Sequence, residues 1–146
     1  MNLWNKFFLL SLASFLAGSI HAGSANPPAR VSGAWVRATV PAQTASGAFL
    51  QITSPYPARL VEVASDAAER VEIHSMTMDQ GVMRMRQVKE VELPAKTPVK
   101  FSPGGFHLML MGLKKTLKPG DEVNLSLTVS DSKNQRQVIK SAAVVK

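Results

Sequence analysis

The chain has 146 residues, room for one domain, and its 45% hydrophobic and 18% charged content is that of a folded globular protein rather than a disordered one. Lys and Arg outnumber Asp and Glu by 17 to 10, a net charge of +7 with no Lys/Arg run and no basic helix, which argues against a nucleic-acid-binding surface. Cysteine is absent, which excludes disulfide scaffolds, thiolate zinc sites, iron–sulfur clusters, cysteine nucleophiles and blue-copper centres.

Met1 to Lys6 is short and carries one positive charge, and Phe7 to Ile20 (FFLLSLASFLAGSI) is apolar. That run is shorter than the roughly 18 residues that mark a membrane-spanning helix. Ala22, Gly23, Ser24 and Ala25 follow. The order of regions is that of a secretory signal peptide. Cleavage is expected after Ala22, giving a leader over 1–22 and a single exported domain over 23–146 with a net charge of +6. The expected location is the periplasm.

Asn26 to Arg30 (NPPAR) reads as an extended leader to the domain. Strands are predicted over 34–38, 47–53, 59–64, 70–78, 81–88, 99–101, 106–111, 122–130 and 137–145, because these windows alternate or are rich in β-formers and are bounded by Gly, Pro, Asn and Asp. Asp79-Gln80-Gly81 is a hairpin-sized turn, and Lys118-Pro119-Gly120-Asp121 is another strong turn signal. No window keeps a 3.6-residue period long enough for a packed helix. About nine short strands with frequent turns predict an all-β fold, an antiparallel β-sandwich or barrel.

After the leader, every Met and every His lies between His74 and Met111. Met as a core gap-filler would be drawn from every strand, so this clustering points elsewhere. Alternate residues of a strand share a face. His74, Met76 and Met78 therefore form one stripe, Met83 and Met85 a second, and His107, Met109 and Met111 a third. If Asp79-Gln80-Gly81 closes a hairpin, the first two are neighbours; the third must reach them through packing. Thioether sulfur is soft and neutral and imidazole nitrogen is borderline, so such a set suits Cu(I) and disfavours Mg²⁺, Ca²⁺ and Zn²⁺. Without thiolates the donors add no negative charge, which again favours a monovalent soft ion.

The spacing H-x10-M-x21-H-x-M, carried by His74, Met85, His107 and Met109, and the surrounding MTMDQGVMRMR and PGGFHLMLMGLKKTLKPGD resemble the periplasmic copper chaperones called PCu(A)C over about residues 31–146. The resemblance implies a cupredoxin-like, immunoglobulin-like β-sandwich holding one Cu(I) per chain through His74, Met85, His107 and Met109. It also implies copper delivery to the CuA centre of cytochrome c oxidase, with the apo CuA domain of subunit II and a Sco-type thioredoxin-fold protein as partners. A non-enzymatic monomer is expected, transferring copper by ligand exchange. The alternative is a copper sequestration or resistance protein without a dedicated recipient.

Met76 is the leading substitute ligand, and Met78, Met83 and Met111 are open between outer thioethers, exchange partners and packing. Arg84 and Arg86 are expected on an exposed strand face and Trp35 in the core. Pro103-Gly104-Gly105 is expected to aim His107. Glu62, Asp66, Glu69 and Glu72 read as solvated positions rather than a catalytic acid pair.

Overall fold

The computed structural model describes residues 26–146; the expected leader lies outside the described residues. Ten strands follow one another: β1 Arg30–Val36, β2 Ala45–Thr53, β3 Ala58–Ser65, β4 Ala68–Asp79, β5 Val82–Gln87, β6 Val91–Leu93, β7 Val99–Phe101, β8 His107–Leu113, β9 Glu122–Asp131 and β10 Arg136–Val145. The fold is all-β, as the alternation predicts, with ten strands where nine were expected. The extra one is β6, whose three residues are too few to show a period; Val91 and Leu93 are buried, and Pro94 follows at once.

Hydrogen bonding runs continuously through the order β5-β4-β8-β2-β1-β10-β9-β3-β6, with β7 pairing further along β2. The expected purely antiparallel pattern has one exception. β1 and β10 pair in parallel, Trp35 with Val144 and Val36 with Val145, so the two ends of the domain lie side by side. A parallel pair needs a long crossover, and the whole intervening domain supplies it.

β3 and β4 are consecutive but stand far apart in the sheet order, so the sheet folds over on itself at Asp66-Ala67 and encloses the core. The Asp66 carboxylate accepts hydrogen bonds from the Asn124 backbone N–H at 3.2 Å and from Asn124 Nδ2 at 2.9 Å, tying this crossing to β9. Alternation sorts the residues: Val123, Leu125, Leu127 and Val129 of β9 point inward, as do Leu108 and Leu110 of β8 and Ile73 of β4. His107, Met109 and His74 occupy the alternate positions, and the histidine–methionine stripe thus lies on the outer face, back to back with the core.

The β4–β5 turn is built for tightness. Asp79 pairs with Val82, leaving Gln80 and Gly81 as a two-residue loop with φ of +49° and +78°. Positive φ at both positions is the type I′ pattern, whose twist matches that of the flanking strands.

Because the inner face carries the stability, Leu108→Ala should cost about 2–5 kcal/mol. Half-exposed Met85 packs little, so Met85→Ala should change stability by only about 0.5 kcal/mol or less. Urea unfolding of the two metal-free variants measures the contrast.

Candidate metal centre

β4 is flanked by β5 on one side and β8 on the other, and the register brings the three stripes together. His74 stands opposite His107, Glu72 opposite Met109, Met76 opposite Met85 and Met78 opposite Met83. The imidazole rings of His74 and His107 are 5.6 Å apart, centroid to centroid, nearly edge to face. On its other side β8 pairs with β2, where Gly47 faces Met109. A Cβ on Gly47 would sit 3.2 Å from the Phe49 ring, so glycine leaves room for that ring to fold back over the strand.

A cavity of about 310 Å³ opens on this face. Met85, His107 and Met109, three of the four expected ligands, line it, and Met76 lines it with them. His74 is not on the wall; it sits beside His107 with its side chain largely covered. Arg37, Gln43 and Phe49 complete much of the remaining wall, with no carboxylate among the lining residues. Arg37 holds its guanidinium 5.7 Å from the centre of the Phe49 ring, a cation–π contact. A guanidinium and neutral donors together disfavour a multiply charged hard cation.

The two histidines are held in complementary ways. His107 is buried, and its Nδ1 lies 3.0 Å from the Gly105 carbonyl oxygen. A carbonyl only accepts, so Nδ1 carries the proton and the Nε2 lone pair is free to bind a metal. The turn at Pro103-Gly104-Gly105 therefore does aim His107. The same carbonyl also accepts the Met76 backbone N–H at 3.2 Å, which locks the turn to β4.

His74 is oriented by Glu72, its Nε2 lying 2.8 Å from Glu72 Oε2. That contact places the proton on Nε2 and leaves a lone pair on Nδ1. His74 Nδ1 is the buried side-chain nitrogen or oxygen atom without a hydrogen-bond partner among the described residues. Leaving such an atom unpaired costs stability; a soft cation at Nδ1 would satisfy it.

Glu72 was expected to be solvated, but alternation places it on the His74 face, half-buried and hydrogen-bonded to the imidazole. The bond from His74, then that from Arg70, holds its carboxyl below the ordinary glutamate range. The signal for this was its i−2 position relative to His74. Trp35 also departs from expectation. Its ring stacks on Phe49 at 4.5 Å, and Phe49 lies 6.4 Å from His107, so Trp35 braces the histidine face rather than the core. Arg84 is exposed as expected, with its Nε 3.2 Å from an Asp79 oxygen. Met111 lies opposite Arg70, off the cavity wall, and Met78 and Met83 extend beyond it.

Among the described residues, no three or more His, Cys, Asp or Glu side chains form a group able to hold a metal. The donors this face does bring together are imidazole and thioether.

Residues 29–139 match the family described as "Putative lipoprotein LpqE-like". A relative from Leifsonia xyli subsp. xyli (strain CTCB07), "Putative lipoprotein Lxx21020", is 34% identical over 103 residues. That match covers 70% of this chain, and the chain spans only 62% of the relative's length. Among solved structures, the Cu(I) form of DR1885 from Deinococcus radiodurans superposes with a TM-score of 0.64 at 31% identity, covering 86% of this chain and 83% of that one. The copper-bound PCuAC domain from PmoF2 superposes with a TM-score of 0.62 at 21% identity, covering 84% and 97%, and shares the fold.

If His74 is a copper ligand, replacing Glu72 by Gln should weaken Cu(I) binding about 10–100-fold, the usual cost of losing a partner that orients a ligating histidine. A carboxyl held low in the folded state stabilises the fold above its unfolded pKa and loses that contribution as pH falls through the folded value. The metal-free wild type should therefore be more stable than Glu72→Gln at pH 7, and the gap should close as the solution is acidified past the carboxylate range. Chelator competition and urea midpoints at pH 7 and pH 3 measure the two effects.

Proposed function

The chain belongs to the LpqE-like family, and from that membership and the donor set of the outer face we propose that it is an exported, non-enzymatic Cu(I) carrier that hands copper to a recipient by ligand exchange. The observation that carries this reading is the pairing of two held imidazoles, each with a lone pair left over, beside the thioethers of one cavity. The proposed ligands are His74 through Nδ1, His107 through Nε2, Met85 and Met109, holding one Cu(I) per chain. The Cu(I)-bound state of the similar DR1885 structure supports the choice of copper as the ion.

The proposed exchange follows from where each donor sits. His107 is buried and fixed by a backbone carbonyl, and His74 is nearly covered. Met85 is 49% exposed on edge strand β5. A recipient ligand reaches that thioether first, displaces it, and takes the ion while the imidazoles still hold it. Thioether and imidazole remain neutral throughout, so no proton needs to move. Such an accessible ligand favours delivery over storage.

The recipient we propose is the CuA centre of cytochrome c oxidase, reached directly or through a Sco-type thioredoxin-fold protein, in the periplasm. Its test is transfer from the loaded chain to an apo CuA domain, with and without the Sco-type partner. Copper that stays on this chain in both arms would favour sequestration.

The ligand assignment predicts that the protein takes up one Cu(I) and little Zn²⁺ in equal competition, because thioethers are poor zinc donors. X-ray absorption should show mixed nitrogen and sulfur neighbours. His107→Ala should lose more affinity than the roughly 10–100-fold expected for removing an outer partner. Met76→Leu should lose much less than Met85→Leu.

A further inference from the structure

The β4–β5 hairpin continues past the start of β8. The ladder between β4 and β8 ends at His74 and His107, so the residues of β4 beyond His74 have only β5 as a ladder neighbour. On the other side a single bond, Met76 N–H to the Gly105 carbonyl, steadies the base of this arm. Farther out it projects into solvent. Its two faces differ all the same: one carries Ser75, Thr77, Arg84 and Arg86, and the other carries only methionine.

Those methionines form rungs. Met76 stands opposite Met85, and Met78 stands opposite Met83 at the tip. Met78 is 66% exposed and Met83 is 55% exposed, so neither fills a core. Directly opposed residues place their Cβ atoms about 4.5–5.5 Å apart, and the long, flexible thioether arms can bring both sulfurs onto one ion. Successive same-face rungs are roughly 7 Å apart along a strand. The tip rung, the Met76–Met85 rung and the histidine pair thus form a continuous line of soft donors from solvent to the cavity.

We propose that Met78 and Met83 form a second, thioether-only Cu(I) site at the hairpin tip, which receives incoming copper and passes it through Met76 and Met85 to the histidines. The proposal rests on the copper reading above. Each step adds one lone pair to the ion, from sulfur along the arm and from imidazole nitrogen at its end, and releases one sulfur lone pair. Copper stays Cu(I), and no electron or proton is transferred. The tip lacks imidazole, so it binds more weakly than the inner site and the ion moves inward.

The test is anaerobic Cu(I) titration of the protein carrying methionine labelled with ¹³C at the ε-methyl, read by NMR. The first equivalent should shift the Met85 and Met109 methyls, and the second should shift those of Met78 and Met83. A Met78→Leu/Met83→Leu double variant keeps the apolar surface and removes the sulfur. It should lose the second equivalent, keep the first at unchanged affinity, and load more slowly from a Cu(I)–chelator complex. In a His74→Ala/His107→Ala variant the tip methyls should still shift. Tip methyls that stay unmoved through two equivalents, while Met85 and Met109 respond, would overturn the tip site alone. Loading of the leucine variant at the wild-type rate would also overturn it, leaving the patch an apolar contact surface. No shift at any methyl would overturn the copper reading itself.

Discussion

The register of β4 between its two neighbours is the constraint on which the site depends. Cross-strand partners share a face, so one set of backbone hydrogen bonds puts His74 beside His107 and Met76 beside Met85. A slip of one residue would turn every donor to the opposite face. That slip is opposed by the core: Ile73 pairs with Leu108 and Val71 with Leu110 on the inner face, and burying them fixes the register. The donors are therefore positioned by residues on the opposite face of the sheet.

This arrangement separates stability from chemistry within the same strands. Along β8, buried Leu108 and Leu110 alternate with His107 and Met109. The inner set holds the sheet closed, and the outer set carries the imidazole and thioether donors. Support for the outer set is local and polar or aromatic: the Gly105 carbonyl holds His107, Glu72 holds His74, and Trp35 and Phe49 form a rigid wall behind them. Fixed imidazoles next to accessible thioethers fit the carrier role proposed above, in which an ion is held selectively and still given up.

Charge works in the same direction. The cavity wall offers neutral donors and one guanidinium, and the nearby carboxylate, Glu72, is engaged by His74 and Arg70 rather than turned toward the cavity. A divalent cation would find no anionic ligand to offset its lost hydration. A monovalent soft ion loses less on leaving water and gains more from polarizable sulfur.

Much of this was legible from residue order. The side-chain period of a strand is two, so alternation alone assigned His74 and Met76 to one face, Met83 and Met85 to another and His107 and Met109 to a third, and the turn at Gln80-Gly81 joined the first two. Donor chemistry is a property of residue type, so a soft, thiolate-free set could be recognised without coordinates. Local pattern could not show that β8, far along the chain, pairs with β4 in the register that merges the third stripe with the others. Nor could it show that β1 and β10 run parallel or that Trp35 faces outward, whereas the turn of Glu72 to His74 was signalled by its i−2 position. Pairing between distant strands is decided by which apolar faces bury each other when the sheet folds over, and that choice belongs to the whole core rather than to any single segment.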